Sequence, residues 1–306
     1  MKSLWVGLVL CASVLALSQQ HMPTPPQDAG VMLAAVSRDD SMLGGGISSG
    51  RWTGKGSVFV EPLARLTQSG EWQSIPCDEN QQNACRKFER EYLKKPHDYF
   101  VVSADGKGAT VRAAPTSLGD CFEYSGTGSY SGVNIARSAI AASSTDFFGD
   151  SPPPQPLRNA EAKPILNALA ALVPWRLDSR LYLRLFSLRF EGRDLILVQR
   201  SFSDYATKPE ADMLKLNFAI GTMERGRFHV LHWKRNIEDE DERVLGTVHL
   251  KSGRDFLITT VSDPESQQFR VYGIRDGKLV IVYSGGGSSC RFAARELDGL
   301  RPGHIA

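Results

Sequence analysis

Short apolar runs rich in β-branched and aromatic residues, separated by turn residues, dominate the second half of this chain. Two stretches, residues 186–233 and 248–290, show the same order of signals. Each contains Gly-Arg-Asp followed by an apolar run, at Gly192-Arg193-Asp194 and at Gly253-Arg254-Asp255. Each then carries a hairpin signal, a glycine between a charged and a basic residue, at Gly226 and Gly277. The pattern predicts two copies of a four-stranded antiparallel meander within residues 160–306, with both turn glycines in the left-handed conformation.

The first half of the chain predicts a second β-rich unit, residues 51–150. Turn residues between apolar runs place hairpins at Gly70 and at Asp105-Gly106. Two short helices are predicted, over residues 84–95 and over residues 164–173 with Pro164 in the first turn. The predicted fold is mostly β, and it is propeller-like if the first half also contributes blades, for which the hairpins at Gly70 and Gly106 are the candidates.

Composition separates these units. Three consecutive prolines, Pro152-Pro153-Pro154, favour extended geometry and predict a linker over residues 151–159. Residues 19–50 are rich in Gln, Pro, Ser and Gly, which is typical of an irregular leader.

The N-terminus carries the one long apolar stretch of the sequence. Lys2 precedes an uncharged run over residues 4–17, and Ala16-Leu17-Ser18 has the small-x-small pattern of a cleavage site. The run is shorter than the roughly 20 residues that a membrane-spanning helix needs. The pattern therefore predicts a signal peptide, residues 1–18, and export to the periplasm or the extracellular space, with no transmembrane segment in the mature chain.

Export changes the interpretation of the cysteines. Four remain after cleavage, Cys77, Cys85, Cys121 and Cys290. An even number in an oxidising compartment predicts two disulfides, whereas no spacing typical of a zinc site is present. Four cysteines allow three pairings; the short polar loop of residues 78–84 favours Cys77–Cys85, which leaves Cys121–Cys290.

The order strand, Gly-Arg-Asp, strand, loop, strand, turn, strand resembles the blade repeats of FG-GAP/VCBS-type β-propellers. The resemblance covers residues 186–290 and implies blade-like meanders, in which that family holds Ca²⁺ with acidic residues just before the glycine. In this chain Glu191 is the one carboxylate at those positions, and Leu250-Lys251-Ser252 supplies none. Calcium takes about six to eight oxygen ligands. We therefore expect no metal here, and we interpret Asp194 and Asp255 as turn and strand-start residues.

Two further motifs favour structural interpretations. Gly46-Ile47-Ser48-Ser49-Gly50 matches the G-x-S-x-G nucleophile elbow, but no apolar strand precedes it and no helix follows it. His229 and His232 lie three apart in a predicted strand and would point to opposite faces, so they do not converge with His249 on one metal ion.

The remaining candidates are carboxylates and aromatic rings. The acidic run of residues 238–242, and Asp263 with Glu265, have no flanking apolar pocket and are interpreted as exposed loops. Core packing is the interpretation of the aromatic residues that could otherwise line a carbohydrate surface, Trp72, Trp175, Trp233, Tyr182, Tyr272 and Tyr283.

Total charge is nearly balanced, with 36 basic and 34 acidic residues, and by itself predicts neither a nucleic acid nor an anionic membrane surface as partner. No catalytic residue, cofactor or metal is predicted. The expected function is that of an exported non-enzymatic protein that binds an envelope or extracellular protein or glycan through its loops. Two alternatives remain open: a secreted hydrolase whose site is assembled only in three dimensions, and a structural or assembly protein of the envelope.

Overall fold

A computed structural model describes residues 30–38, 56–75, 82–88, 90, 97–103, 107–113, 126–131, 138–172, 183–200, 216–235, 241–262 and 266–289. The described chain is mostly β, with antiparallel sheets and two short helices, as the sequence predicted. None of its helices has the length and apolar content that crossing a membrane requires.

The first sheet contains seven strands in the order β1-β7-β4-β5-β6-β2-β3, and β1 also pairs with β2. Six of its strands therefore form a closed circuit of antiparallel pairings, with β3 attached to β2. Its strands are β1 (Val31–Arg38), β2 (Gly56–Leu66), β3 (Trp72–Gln73), β4 (His97–Val101), β5 (Thr110–Ala113), β6 (Gly126–Ser131) and β7 (Ser138–Ala142).

One apolar cluster joins the strands of this circuit. Met32, Val60, Tyr99 and Val111 come from four different strands and are buried together. Phe88 adds its ring from helix α1 (Gln82–Phe88), so the helix packs against the same cluster. The two hairpins that were candidate propeller blades thus belong to one sheet that returns on itself: β2 and β3 turn at Gly70, and β4 and β5 are adjacent, although Gly106 lies outside the described residues.

The second and third sheets are the two predicted meanders. The second has the order β12-β11-β10-β9-β8, and the third β13-β14-β15-β16. Their strands are β8 (Gln155–Pro156), β9 (Leu183–Phe190), β10 (Arg193–Arg200), β11 (Phe218–Glu224), β12 (Arg227–Lys234), β13 (Asp241–His249), β14 (Asp255–Ser262), β15 (Ser266–Arg275) and β16 (Lys278–Ser289).

The third sheet lies between the other two. Because side chains alternate along a strand, β14 sends Phe256 and Ile258 into a core shared with the first sheet, and Leu257 into a core shared with the second. Helix α2 (Asn159–Ala170) covers the opposite face of the second sheet through Ile165 and Leu169. The third sheet is therefore covered on both faces by other sheets.

The turns of both copies have the predicted geometry. Gly226 (φ 76°) and Gly277 (φ 73°) are left-handed, as are Arg225 and Asp276 before them. Two consecutive left-handed residues are typical of a tight turn whose twist matches that of the flanking strands. The repeat alignment is confirmed at both hairpins.

Residues 19–50 were wrongly expected to be irregular throughout. Val31–Arg38 forms β1, which pairs with β2 and β7 and has its apolar residues buried on both faces. A strand buried on both faces shows a continuous apolar run and lacks the alternation that identifies a half-buried strand. The rest of the predicted leader, and the signal peptide, lie outside the described residues.

The boundary between the two halves also differs from the prediction. Gln155–Pro156 pairs with β9 as a short edge strand, so the predicted linker is partly sheet. Helix α2 begins at Asn159, five residues before Pro164, because the Glu161 side chain accepts a hydrogen bond from the Arg158 backbone N–H (2.9 Å). Pro164 therefore lies inside the helix, where it supplies no N–H, and the proline was a misleading start signal.

Candidate functional site

A buried polar cluster lies between the second and third sheets, around Glu242 at the start of β13. The Glu242 side chain is 0% exposed. Its carboxylate accepts hydrogen bonds from Thr259 Oγ1 (2.8 Å), Tyr272 OH (2.6 Å) and Arg270 Nη1 (2.8 Å), and Lys234 Nζ lies 3.7 Å away. A buried carboxylate is tolerated when cations and hydrogen-bond donors surround it, as here. We call these five residues the Glu242 cluster.

A β-bulge in the second sheet brings His232 to this cluster. Ile220 pairs with His232 and Gly221 with Val230, so Leu231 is the extra residue of β12. The His232 ring lies 5.6 Å from the Phe218 ring and 5.2 Å from the Tyr272 ring, between centroids. Bulges redirect side chains in this way, which simple alternation along a strand does not predict.

The surroundings of Tyr272 and His232 favour the uncharged form of both side chains. Burial, followed by the charge of Glu242, raises the pKa of Tyr272 far above its ordinary value. Burial lowers the pKa of His232 and outweighs the opposing effect of Glu242. Tyr272 therefore acts as a hydrogen-bond donor to Glu242 and is unsuited to acting as a base.

The Glu242 cluster corrects a sequence expectation. Residues 238–242 were interpreted as an exposed acidic loop, yet Asp241 and Glu242 belong to β13 and Glu242 is fully buried. The error arises because a charge run was treated as a unit, whereas the strand turns one of its residues inward. Residues 238–240, and Asp263 and Glu265, lie outside the described residues.

A second arrangement joins all three sheets at His249 and Asp255. Asp255 is buried, and one of its carboxylate oxygens contacts His249 Nδ1 while the other accepts the backbone N–H of Glu191. The backbone oxygen of His249 also accepts a hydrogen bond from the N–H of Gly149 (2.9 Å), which lies in the segment that follows β7 of the first sheet. An ionised carboxylate only accepts hydrogen bonds, so the tautomer that suits this contact carries its proton on Nδ1 and its lone pair on Nε2. The His249 side chain is 29% exposed.

Glu191 lies beside this pair. Burial raises the pKa of Glu191, and the charge of Asp255 adds to the rise. The local geometry is that of a histidine oriented by a buried carboxylate, which is one part of many catalytic sites. The same contacts with Asp255 also hold the β9–β10 turn against the third sheet.

Four turns of the two meanders lie at the same end of the molecule. In a meander, alternate turns lie at one end, so Glu191-Gly192 is level with Arg225-Gly226, and residues 250–254 are level with Asp276-Gly277. The hydrogen bond from Glu191 to Asp255 places the turns of both sheets at one end. We call this end the turn face.

The turn face carries an excess of exposed basic side chains. Arg189 is paired with Asp194 (2.7 Å), and Arg254 lies over the Phe256 ring, 5.1 Å from its centroid. Glu224 and Asp276 are exposed acids on the same turns. Six further basic residues are exposed, Arg193, Arg225, Arg227, Lys251, Arg275 and Lys278, and the charge of Arg193 acts on the nearby Glu191, whose pKa it lowers against the larger effect of burial.

The two aspartates of the repeat motif have different surroundings. Asp194 is exposed and paired with Arg189, as expected of a turn residue. Asp255 starts β14 as predicted, but it is buried and binds His249. In the described chain, no three His, Cys, Asp or Glu side chains come together in an arrangement that could hold a metal ion.

The other residues singled out from the sequence lie in the cores, on the surface or outside the described residues. Tyr272 and Tyr283 are buried in the sheet–sheet cores, as predicted; Trp72 packs against the core of the first and third sheets, and Trp233 against the core between helix α2 and the second sheet. His229 is exposed, apart from half-buried His232. Cys77, Cys121, Cys290, Trp175, Tyr182 and residues 46–50 lie outside the described residues, as does the side chain of Cys85 in helix α1.

Sequence reasoning missed Glu242, His232 and His249 as members of buried polar contacts. Their partners lie on other strands or in another sheet, so no local motif marks them. Comparison with known proteins finds no matching family model, no matching curated protein and no matching solved structure.

Proposed function

We propose that this chain is an exported, non-enzymatic protein that binds an envelope or extracellular component through its turns. The observation that carries the proposal is the convergence of four hairpin turns on one end of a stack of three sheets. Loops on a rigid β-scaffold are the usual place for binding residues, because the scaffold fixes their positions at low entropic cost. The predicted signal peptide and the disulfides Cys77–Cys85 and Cys121–Cys290 belong to this proposal.

The polar interior supports binding over catalysis. Glu242 accepts hydrogen bonds from three donors, Thr259, Arg270 and Tyr272. All four lie in the third sheet, and Lys234 and His232 connect them to the second sheet, so these groups stabilise the scaffold. The exposed charged groups of the turn face are the ones available to a partner.

Two measurements test this proposal. Expression of the full chain in a secreting host, followed by mass analysis, should show cleavage near Ser18 and two disulfides in the exported fraction. Binding of the purified chain to isolated envelopes should fall when Arg225 and Arg227 are both changed to Gln and persist when Arg235, at the opposite end of β12, is changed to Gln. Retention of the uncleaved chain in the cytoplasm, or equal loss of binding in both variants, would overturn the proposal.

A secreted hydrolase is the second candidate, favoured by one observation. Asp255 orients His249, whose side chain is 29% exposed, and a histidine held by a carboxylate in this way suits a general base that activates water. Hydrolysis of generic ester, peptide or glycoside substrates by the wild-type chain, lost in His249→Gln with the fold intact, would establish this alternative. Activity that survives this change, or no activity above a heat-treated control, would eliminate it.

A further inference from the structure

The nearly balanced total charge conceals an uneven distribution. The turn face carries eight exposed basic residues against four acids, Glu191, Asp194, Glu224 and Asp276. At the opposite end of the meanders the described acids are paired with cations: Asp241 with Arg243 (2.7 Å) and buried Glu242 with Arg270 (2.8 Å). The two described meanders therefore carry an excess of exposed basic charge at the turn face, which a total charge does not reveal.

We infer that the turn face docks on an anionic phospholipid surface. This inference rests on the proposed function, of which it names the partner, and its first support is geometric. Turns two strands apart in a sheet are about 10 Å apart, and stacked sheets are also about 10 Å apart. The four turns thus form a two-by-two array, whose basic side chains meet a planar array of anionic headgroups together.

The residue types agree with this partner. Each lysine or arginine close to an anionic bilayer contributes about 1 kcal/mol of attraction, and arginine also binds phosphate through a planar fork. Met223, at the end of β11 and across from Phe228, exposes 37% of its surface next to the arginines of the β11–β12 turn. An apolar side chain beside basic ones suits the boundary between headgroups and acyl chains.

A nucleic acid fits the same face less well. Proteins that bind single strands stack bases on exposed aromatic rings. The aromatic side chains next to the four turns, Phe190, Phe228 and Phe256, are buried. A linear polyanion would follow a single row of cations, whereas the basic residues lie on two sheets.

Co-sedimentation with vesicles tests the inference directly. The purified chain is mixed with vesicles of phosphatidylcholine alone, and with vesicles in which part of it is replaced by phosphatidylglycerol. Binding should require phosphatidylglycerol and should weaken as salt rises above about 0.1 M, where the screening length is about 10 Å. Arg227→Gln should lower the partition coefficient about fivefold, and Arg225→Gln with Arg227→Gln about 30-fold.

Arg235→Gln is the matched control, because Arg235 is an exposed arginine just past the other end of β12. Its partition coefficient should match that of the wild type. Equal losses for Arg227→Gln and Arg235→Gln, equal binding to both vesicle types, or no binding to either would each overturn the inference.

A soluble linear polyanion added to the vesicle mixture tests the remaining alternative, in which the partner of the turn face is a linear polyanion such as a nucleic acid. Release of the chain from vesicles only at high polyanion charge excess supports a membrane surface. Tight binding to the polyanion with no measurable vesicle binding assigns the face to a linear partner and overturns the inference. The export test is independent of this assay, so failure here leaves the proposed export and envelope binding to be judged separately.

Discussion

The two Gly-Arg-Asp motifs have the same sequence and the same place in their meanders, yet their aspartates have opposite surroundings. Asp194 is exposed and makes a surface ion pair, whereas Asp255 is buried and binds His249 and the turn of the other copy. The second sheet lies at the outside of the stack, while the third lies between two sheets. Local sequence therefore decides the turn, and position in the stack decides whether its aspartate is a surface group or a buried connector.

The largest effect is expected from breaking the polar contact at the centre of the stack. Glu242→Gln leaves Arg270 and Lys234 without their buried counter-charge, which should lower the free energy of unfolding by about 3–5 kcal/mol. Urea denaturation measures the change. Glu224→Gln, on an exposed strand end of the outer copy, is the control and should have little effect; a loss at Glu242 no greater than at Glu224 would contradict the proposed role of the cluster.

The repeat aspartates test the comparison itself. Asp255→Asn removes the charge that binds His249 and the Glu191 N–H, so it should lower the free energy of unfolding by about 2–3 kcal/mol. Asp194→Asn breaks only an exposed ion pair and should cost about 0.5 kcal/mol or less. Equal losses in the two variants would show that the copies are equivalent and that burial of Asp255 has no energetic consequence.

The turn glycines should behave alike in both copies. Gly277→Val and Gly226→Val each place a β-branched residue at positive φ, which costs about 1–3 kcal/mol. Nothing lies within 4 Å of a Cβ added at either glycine, so the expected cost is one of backbone conformation. Thermal melts of the two variants should shift together; a shift in only one copy would mean that its turn energy depends on the surrounding fold.

The smallest effect concerns pH and Glu191. Its pKa is raised in the folded protein, so the folded state holds this proton more tightly than the unfolded state. The free energy of unfolding should therefore fall as pH rises from the ordinary glutamate range through the raised pKa, and stay lower above it. Glu191 is largely solvated, so the fall is only a few tenths of a kcal/mol. Denaturation from pH 4 upward should show this fall in the wild type and lack it in Glu191→Gln, and an unchanged profile in the variant would exclude Glu191 as its source.

Much of the second half could be predicted from sequence, because its signals are local. The turns at Gly226 and Gly277, the strands beside them and their order in each meander follow from a few neighbouring residues. The candidate sites were not predictable in this way. Glu242 meets Tyr272 across a separation of 30 residues, and Asp255 meets Glu191 across 64.

Strand β1, in the first half of the chain, was missed because its surroundings also lie far away in the sequence. Val31–Arg38 carries no alternation because both of its faces are buried, one inside the circuit of strands and one against the third sheet. Its role depends on what surrounds it, which a pattern of neighbouring residues does not contain.

Local sequence was enough to predict the mostly β fold and the two meanders with their left-handed glycines, because backbone sterics and turn chemistry act over a few residues. The tertiary structure decided which charges are buried, which aspartate of the repeat binds a histidine, and that the basic turns lie together at one end. Those outcomes depend on the stacking of three sheets, where burial and long-range contacts, rather than local preference, determine the environment of each side chain.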